Sequence, residues 1–461
     1  RKMEAAFSIE NQIAKVSYDQ VKSRDSQANY HPMTWDQFVK SYPGVDWNYL
    51  LKASGYPNNG GKVAVGQPEP VHEVEKILAT APLDALKAYM ELAVISSSAG
   101  MLSDNFTDRK FEYKKVAYGV QQQQPRWKRA LDFVQGIMGE AVGKLYVQKY
   151  FPESSKQRMI TLVKNLQDAF AQRIEENTWM TAVTKKKALE KLQAFDIKIG
   201  YPDKWQNMDS VFVIDDNKSL IENVKAVQEA AMKYRIAKRW GKPVDKKEWH
   251  MTPQTVNAYY YPITNSINFP AAILQPPFFD PTVDDAANYG AIGAVIGHEM
   301  SHGFDDQGCQ FDKDGNMKNW WTEEDKKNYD ARTKVLVDWF NKQEVIPGLY
   351  VNGEKTLGEN IGDNGGLNIA FRALENSMKA KPLSDMDGFT PAQRFFLAWG
   401  RVWASNVAPQ FVAYIVNSDV HSPSISRVNA ALPMIDNWYK AFDIKEGDKL
   451  FVPQQSRAHI W

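Results

Sequence analysis

The stretch Val295-Ile296-Gly297-His298-Glu299-Met300-Ser301-His302-Gly303-Phe304-Asp305-Asp306 decides how this chain reads. It contains the pattern His-Glu-x-x-His. Residues four apart on a helix lie on one face, one turn from each other. His298 and His302 placed in this way can close on one zinc ion, and Glu299 between them can reach a metal-bound water. The run just upstream, Ala286 to Ala294, is rich in small residues and reads as a helix packed closely on its neighbours. The plainer alternative is two unrelated histidines on a buried helix. With seven histidines in the whole chain, that coincidence is rare.

A zinc site with two histidines needs a third protein ligand and an open fourth position. Leu357-Gly358-Glu359-Asn360-Ile361-Gly362-Asp363 offers two carboxylates, again four residues apart. Glu359 can be the third ligand, although taken alone it reads as a surface acid. Asp363 can accept the second N–H of a ligating imidazole, which fixes its tautomer and raises its basicity. Asp305, three residues after His302, is a candidate for the same service. The longer zinc pattern that continues with Gly and His is excluded, because those positions hold Asp305 and Gly308.

Composition sets the outer limits. A chain of 461 residues has room for two or three domains. Its net charge of +1 implies no bulk attraction to nucleic acid or anionic lipid. No apolar run approaches the length of a bilayer span. Cys309 is the single cysteine, so no intrachain disulfide can form, which leaves the compartment open. The chain opens Arg1-Lys2-Met3 without a signal-peptide pattern, and its first residue is expected not to be the native start.

Periodicity predicts mostly helix. Met3, Ala6, Phe7, Ile13 and Val16 form an apolar stripe near the start, and Thr34 is placed to cap a helix over 35–42. Long helices are expected from Pro82 to Phe195, with Met159, Leu162, Val163, Leu166, Phe170 and Ile174 on one buried face and Thr181 capping the last. Lys185, Lys186 and Lys187 read as a solvated face. Residues 210–214 read as a short strand and 217–240 as helix. Residues 255–261 and 266–269 read as a hairpin around Pro262-Ile263-Thr264-Asn265. That hairpin is either plain structure or an edge strand that pairs with an extended peptide. Near the C-terminus, His421-Ser422-Pro423 and Arg427 lie on a loop leading into a helix with the stripe Val428, Leu432, Ile435, Trp438 and Phe442. A cationic imidazole or guanidinium near zinc can stabilise an oxyanion. Alone, His421 reads as an ordinary packed or surface histidine.

Together these residues resemble the neprilysin family of zinc endopeptidases, which includes endothelin-converting enzymes and bacterial oligopeptidases. The likeness is carried by Val256-Asn257-Ala258-Tyr259-Tyr260, by Asn268 to Phe279, by the zinc motif, by Gly358 to Leu367, and by His421-Ser422-Pro423 with Arg427. Upstream, Gly143 to Val147 and Ile199 to Asp203 are similar as well. The resemblance implies that His298, His302 and Glu359 hold zinc, one ion per chain, and that Glu299 is the catalytic acid. It implies Asp305 and Asp363 as partners of the histidines, and Asn257 and Ala258 as contacts to the substrate backbone. His421 would stabilise the oxyanion and Arg427 bind a substrate carbonyl. Phe278, Val295, Val402 and Trp403 would line the pocket for the side chain after the scissile bond.

The expected fold is mainly α and two-lobed: a helical cap over residues 33–240 and a thermolysin-like catalytic lobe over 245–461, with 1–32 ending the N-terminal part of that lobe. The expected function is a zinc-dependent endopeptidase that cuts short peptides on the amino side of hydrophobic residues, by Glu-assisted attack of a zinc-bound water. The shortage of cysteine favours a bacterial member, exported to the periplasm or cell envelope, with a cytoplasmic location as the alternative. The family's N-terminal part is expected to be missing here and to associate as a separate piece. The rival reading is a scaffold protein on a spent peptidase fold. Glu299 beside a full ligand set speaks against that, since a dead site has no use for the base.

Overall fold

The computed structural model describes residues 1–461, and the chain falls into two compact units. One comprises residues 1–123 and 206–245, the other residues 124–205 and 246–461. This division differs from the expected boundaries: 124–205 groups with the zinc-motif part, and 1–32 groups with the other unit. The reason lies in the helix Glu153–Glu176. Its face of Met159, Val163, Leu166, Phe170 and Ile174 is wholly buried, and it packs on the helices Ala294–His302 and Leu357–Ala380.

The first unit is helical, with one antiparallel ribbon pairing His31–Thr34 with Lys62–Val65. Thr34 caps the helix Trp35–Ser41 in a reciprocal box with Gln37, as the sequence predicts. The first helix, Lys2–Val16, buries Ala6 and Ile9, whereas Met3 and Phe7 are exposed. The seam is therefore Ala6, Ile9, Ile13 and Val16, which keeps a stricter three–four spacing than the expected stripe. No strand forms at 210–214. The N–H groups of Val211 and Phe212 both return to the Met208 carbonyl, at 2.9 and 3.1 Å, so the segment begins as a turn. The helix after it, Leu220–Arg239, starts at Ser219 in a capping box with Glu222.

The second unit holds the large core and a three-stranded sheet. Ser266–Pro270 is the central strand, parallel to Asp196–Gly200 on one side and antiparallel to Tyr259–Tyr261 on the other. The expected hairpin exists, but its first strand begins at Tyr259, because 252–255 is turned and Asn257 caps the N–H of Ala258 with its own side chain. Tyr259–Tyr261 is an edge strand, and it packs against the zinc-motif helix. The strand Asp196–Gly200 is absent from the sequence reading. At the C-terminus the expected single helix is three pieces, Ser424–Asn429, Leu432–Met434 and Asp436–Phe442. Pro433 cannot donate a helical hydrogen bond and disfavours the helical conformation at the residue before it.

Candidate metal centre and active site

The zinc motif lies on the last two turns of a helical run, Asp285–Asn288, a π-turn at Tyr289–Gly293, then Ala294–His302. This run is buried along its length, so its neighbours must come very close. Glycine makes that possible. A Cβ on Gly297 would lie 2.9 Å from the Cα and carbonyl oxygen of Gly366, and one on Gly362 would lie 2.7 Å from the ring of His298. The helix Leu357–Ala380, which carries Glu359 and Asp363, is thereby laid against the zinc-motif helix backbone to backbone.

The contact brings His298, His302 and Glu359 together, with ligand atoms within 4.8 Å of one another. Nδ1 of His298 is 2.8 Å from Asp363 Oδ1, and Nδ1 of His302 is 2.7 Å from Asp305 Oδ2. A carboxylate only accepts, so both Nδ1 atoms carry the hydrogen. The two Nε2 atoms face each other at 2.9 Å. With Nδ1 protonated, a neutral imidazole presents a lone pair at Nε2, and two lone pairs do not attract. Burial disfavours the charged form of both rings, yet Asp363 and Glu359 raise His298, and Glu359 with Asp305 raises His302 well above the ordinary range. The field thus calls for positive charge between the nitrogens. A divalent cation supplies it at one point, whereas two imidazolium ions would repel.

Glu359 completes the case. Its buried Oε2 lies 3.1 Å from Nε2 of His298, 3.5 Å from that of His302 and 3.1 Å from that of His421, and has no hydrogen-bond partner. Burial pushes its pKa up, but the charges of His302 and His421 outweigh that and hold it well below the carboxylate range. Two imidazole nitrogens and a carboxylate oxygen converging in this way fit a tetrahedral zinc ion with one position open. Glu299 stands outside this set. It is buried, and its charge acts on the Arg427 guanidinium.

His421 is half-exposed and held from behind: Asp419 Oδ1 accepts from its Nδ1 at 2.7 Å and from its backbone N–H at 2.8 Å. Burial opposes its charge, but Glu359 and Asp419 raise it to about 9. Asp419 was missed in the sequence, although an acid two residues before a candidate histidine is a usable signal. Ser422 donates to Asn360 Oδ1 at 2.8 Å, tying the His421 loop to the Glu359 helix. Arg427 is buried, doubly bonded to Asp363 and stacked 3.8 Å over Trp403. Phe278, Val295, Val402 and Trp403 all pack on the main core, with Val295 on the zinc-motif helix itself. Trp403 also lines a cleft of about 450 Å³ with Ile346, Val412, Ile415, Pro423 and Val428. Asn257 is exposed and Ala258 buried, directly ahead of the edge strand.

Residues 257–458 match the profile of peptidase family M13, and residues 1–202 match the N-terminal profile of the same family. The neutral endopeptidase of Lactobacillus helveticus is 34% identical over 456 residues, covering 99% of this chain and 68% of its own. This chain belongs to peptidase family M13. Human neprilysin is 31% identical to the M13 chain over 500 residues, covering 100% of it and 64% of neprilysin. A zinc metalloprotease of Mycobacterium tuberculosis, solved in complex with an inhibitor, superposes with a TM-score of 0.96 at 40% identity, covering 100% of this chain and 70% of that one. The M13 chain spans between 53% and 68% of the length of such curated relatives. The match over residues 1–202 corrects one expectation in part: some of the family's N-terminal region is present in this chain. M13 membership and the converging His298, His302 and Glu359 together imply zinc.

Proposed function

We propose that this chain is a neprilysin-like zinc endopeptidase that binds one zinc ion through His298, His302 and Glu359. The observation that carries the reading is the pair of Nε2 atoms 2.9 Å apart, each ring fixed from behind by a carboxylate, with the unpartnered Glu359 oxygen facing them. Zinc, when bound there, polarises the scissile carbonyl and lowers the pKa of the attacking water. Glu299 then has one role open to it. Its carboxylate, buried and outside the ligand set, accepts the proton of the water and returns it to the leaving nitrogen.

The rest of the site positions the peptide. His421 faces the centre with its Nδ1–H held by Asp419, and its Nε2 is placed to offset charge on the carbonyl oxygen. Arg427 commits Nε and one terminal nitrogen to Asp363, leaving its other terminal nitrogen for a substrate carbonyl. The edge strand Tyr259–Tyr261, with Asn257 and Ala258 ahead of it, offers backbone groups to an extended peptide. Phe278, Val295, Val402 and Trp403 supply apolar surface for a large hydrophobic side chain after the cut. The substrates we infer are short peptides cleaved before such residues.

A quenched-fluorescence peptide with a central Phe or Leu, incubated with and without a chelator, tests this. Cleavage that chelation stops and zinc restores is expected. Cleavage indifferent to chelator, or none from zinc-loaded protein, would overturn the reading.

A further inference from the structure

Lys191 is a charged side chain buried in the core of the second unit, 1% exposed, on the helix Ala182–Gln193. Its Nζ donates to three backbone carbonyls, those of Gly303 at 2.6 Å, Gly308 at 2.7 Å and Phe311 at 2.7 Å. An ammonium has three N–H groups, and all three are spent on one loop. That loop leaves the zinc-motif helix immediately after His302. Gly303 stands at the helix C-terminus, where carbonyls have no partner inside the helix and the dipole favours a cation. Phe304, Tyr260 and Trp320 surround the ammonium, their ring centroids 5.5–5.9 Å away.

The same loop carries Asp305. Its Oδ2 holds His302 Nδ1, while its Oδ1 accepts from the N–H of Gly308 at 2.6 Å and of Gln307 at 2.9 Å. The N–H of Cys309 returns to the Asp305 carbonyl at 2.9 Å. Two of the carbonyls gripped by Lys191, Gly303 and Gly308, therefore bracket Asp305 on either side. At Gly308 the chain folds so tightly onto the His302 carbonyl that a side chain would collide with it. In the other direction, the Lys191 carbonyl accepts from Asn265 in the turn of the hairpin that begins with the edge strand. A buried lysine with this arrangement does more than fill space. An apolar side chain of the same length would fill it without desolvating a charge, but would strip the Gly303 carbonyl of its donor and leave those of Gly308 and Phe311 only the Phe311 N–H and the Trp320 indole N–H.

We propose that Lys191 is a positioning residue for the metal centre: by gripping Gly303, Gly308 and Phe311 it holds Asp305 against His302 and so slows the loss of zinc. The inference rests on the zinc reading above. It is tested by chelator-driven zinc release from the zinc-loaded protein, followed by stopped flow, in a cycle with Asp305→Ala. Lys191→Met is expected to release zinc about 10–100-fold faster, the range typical of lost support behind a metal ligand. Combined with Asp305→Ala, it is expected to add almost nothing, since both act through one carboxylate. Combined with Asp363→Ala, which supports the other histidine, it should add in full. Lys191→Gln, which keeps some of the donors, is expected to fall between. A folded Lys191→Met that melts earlier but releases zinc at the wild-type rate would overturn the proposal, as would full additivity with Asp305→Ala. Failure of both Lys191 variants to fold would assign the residue to the core and overturn it too. Wild-type protein that takes up no zinc would instead sink the zinc reading itself.

Discussion

Arg427 grips Asp363 with two hydrogen bonds, Nε to Oδ2 at 2.8 Å and a terminal nitrogen to Oδ1 at 2.6 Å, while Oδ1 also holds His298. One carboxylate thus joins the C-terminal helix Ser424–Asn429 to the metal centre. Burial would raise the Asp363 pKa, but the guanidinium holds it below the ordinary value, so it stays ionised behind the imidazole. Asp363→Ala is expected to weaken zinc affinity by about 10–100-fold. A metal titration against a competing chelator checks this, and an unchanged affinity would remove Asp363 from the site.

The apolar lining carries a prediction about specificity. Val295 projects from the zinc-motif helix and is 8% exposed. Val295→Phe should fill the space offered to the residue after the cut. Cleavage before Phe should fall by about tenfold or more relative to cleavage before Ala, because overfilling a pocket costs roughly 1–3 kcal/mol. Competition between two such peptides in one digest reads the ratio. A ratio equal to wild type would place the pocket elsewhere.

Stability in acid follows from Asp325, which is fully buried and accepts from the Thr181 N–H at 2.8 Å, the Thr181 hydroxyl at 2.6 Å and the Thr322 hydroxyl at 2.7 Å. It thereby joins the N-termini of two helices, Ala182–Gln193 and Glu323–Phe340. Burial alone would raise its pKa, but the threonine hydroxyls lower it below the usual 3.8. A depressed folded-state value means that the stabilisation is complete above about 3.8 and is lost as pH falls through the lower folded value. Asp325→Asn should therefore melt several degrees below wild type at pH 7, with the gap closing toward pH 3. Thermal midpoints of metal-free protein across that range decide it. A gap that stays constant would show that ionised Asp325 is not what stabilises the joint.

The centre was legible in the sequence because helical spacing is rigid. His298 with His302, and Glu359 with Asp363, are each four apart, and a helix leaves no choice about which face they share. The small residues upstream of His298 also announced close packing of that helix, which Gly297 and Gly366 achieve. What spacing could not show was contact between distant segments. The Arg427–Asp363 fork joins residues 64 apart, and the Lys191 contact to Gly303 joins residues 112 apart. Nothing local in either stretch encodes these partners. The strand Asp196–Gly200 escaped for a related reason. It is five residues long and owes its state to pairing with Ser266–Pro270. The broken C-terminal helix shows the reverse error: an apolar stripe survived in the sequence while Pro433 interrupted the backbone beneath it.

The central claim is that Glu299 moves protons and does not hold the metal. Its carboxylate is buried and lies outside the ligand set. The direct test is Glu299→Gln, loaded with zinc and measured for both metal content and peptide turnover. The account predicts one zinc per chain, as in wild type, with turnover reduced by at least about 10²-fold, the lower range for a lost general base. Turnover close to wild type in the zinc-loaded variant, or loss of zinc from it, would contradict the account.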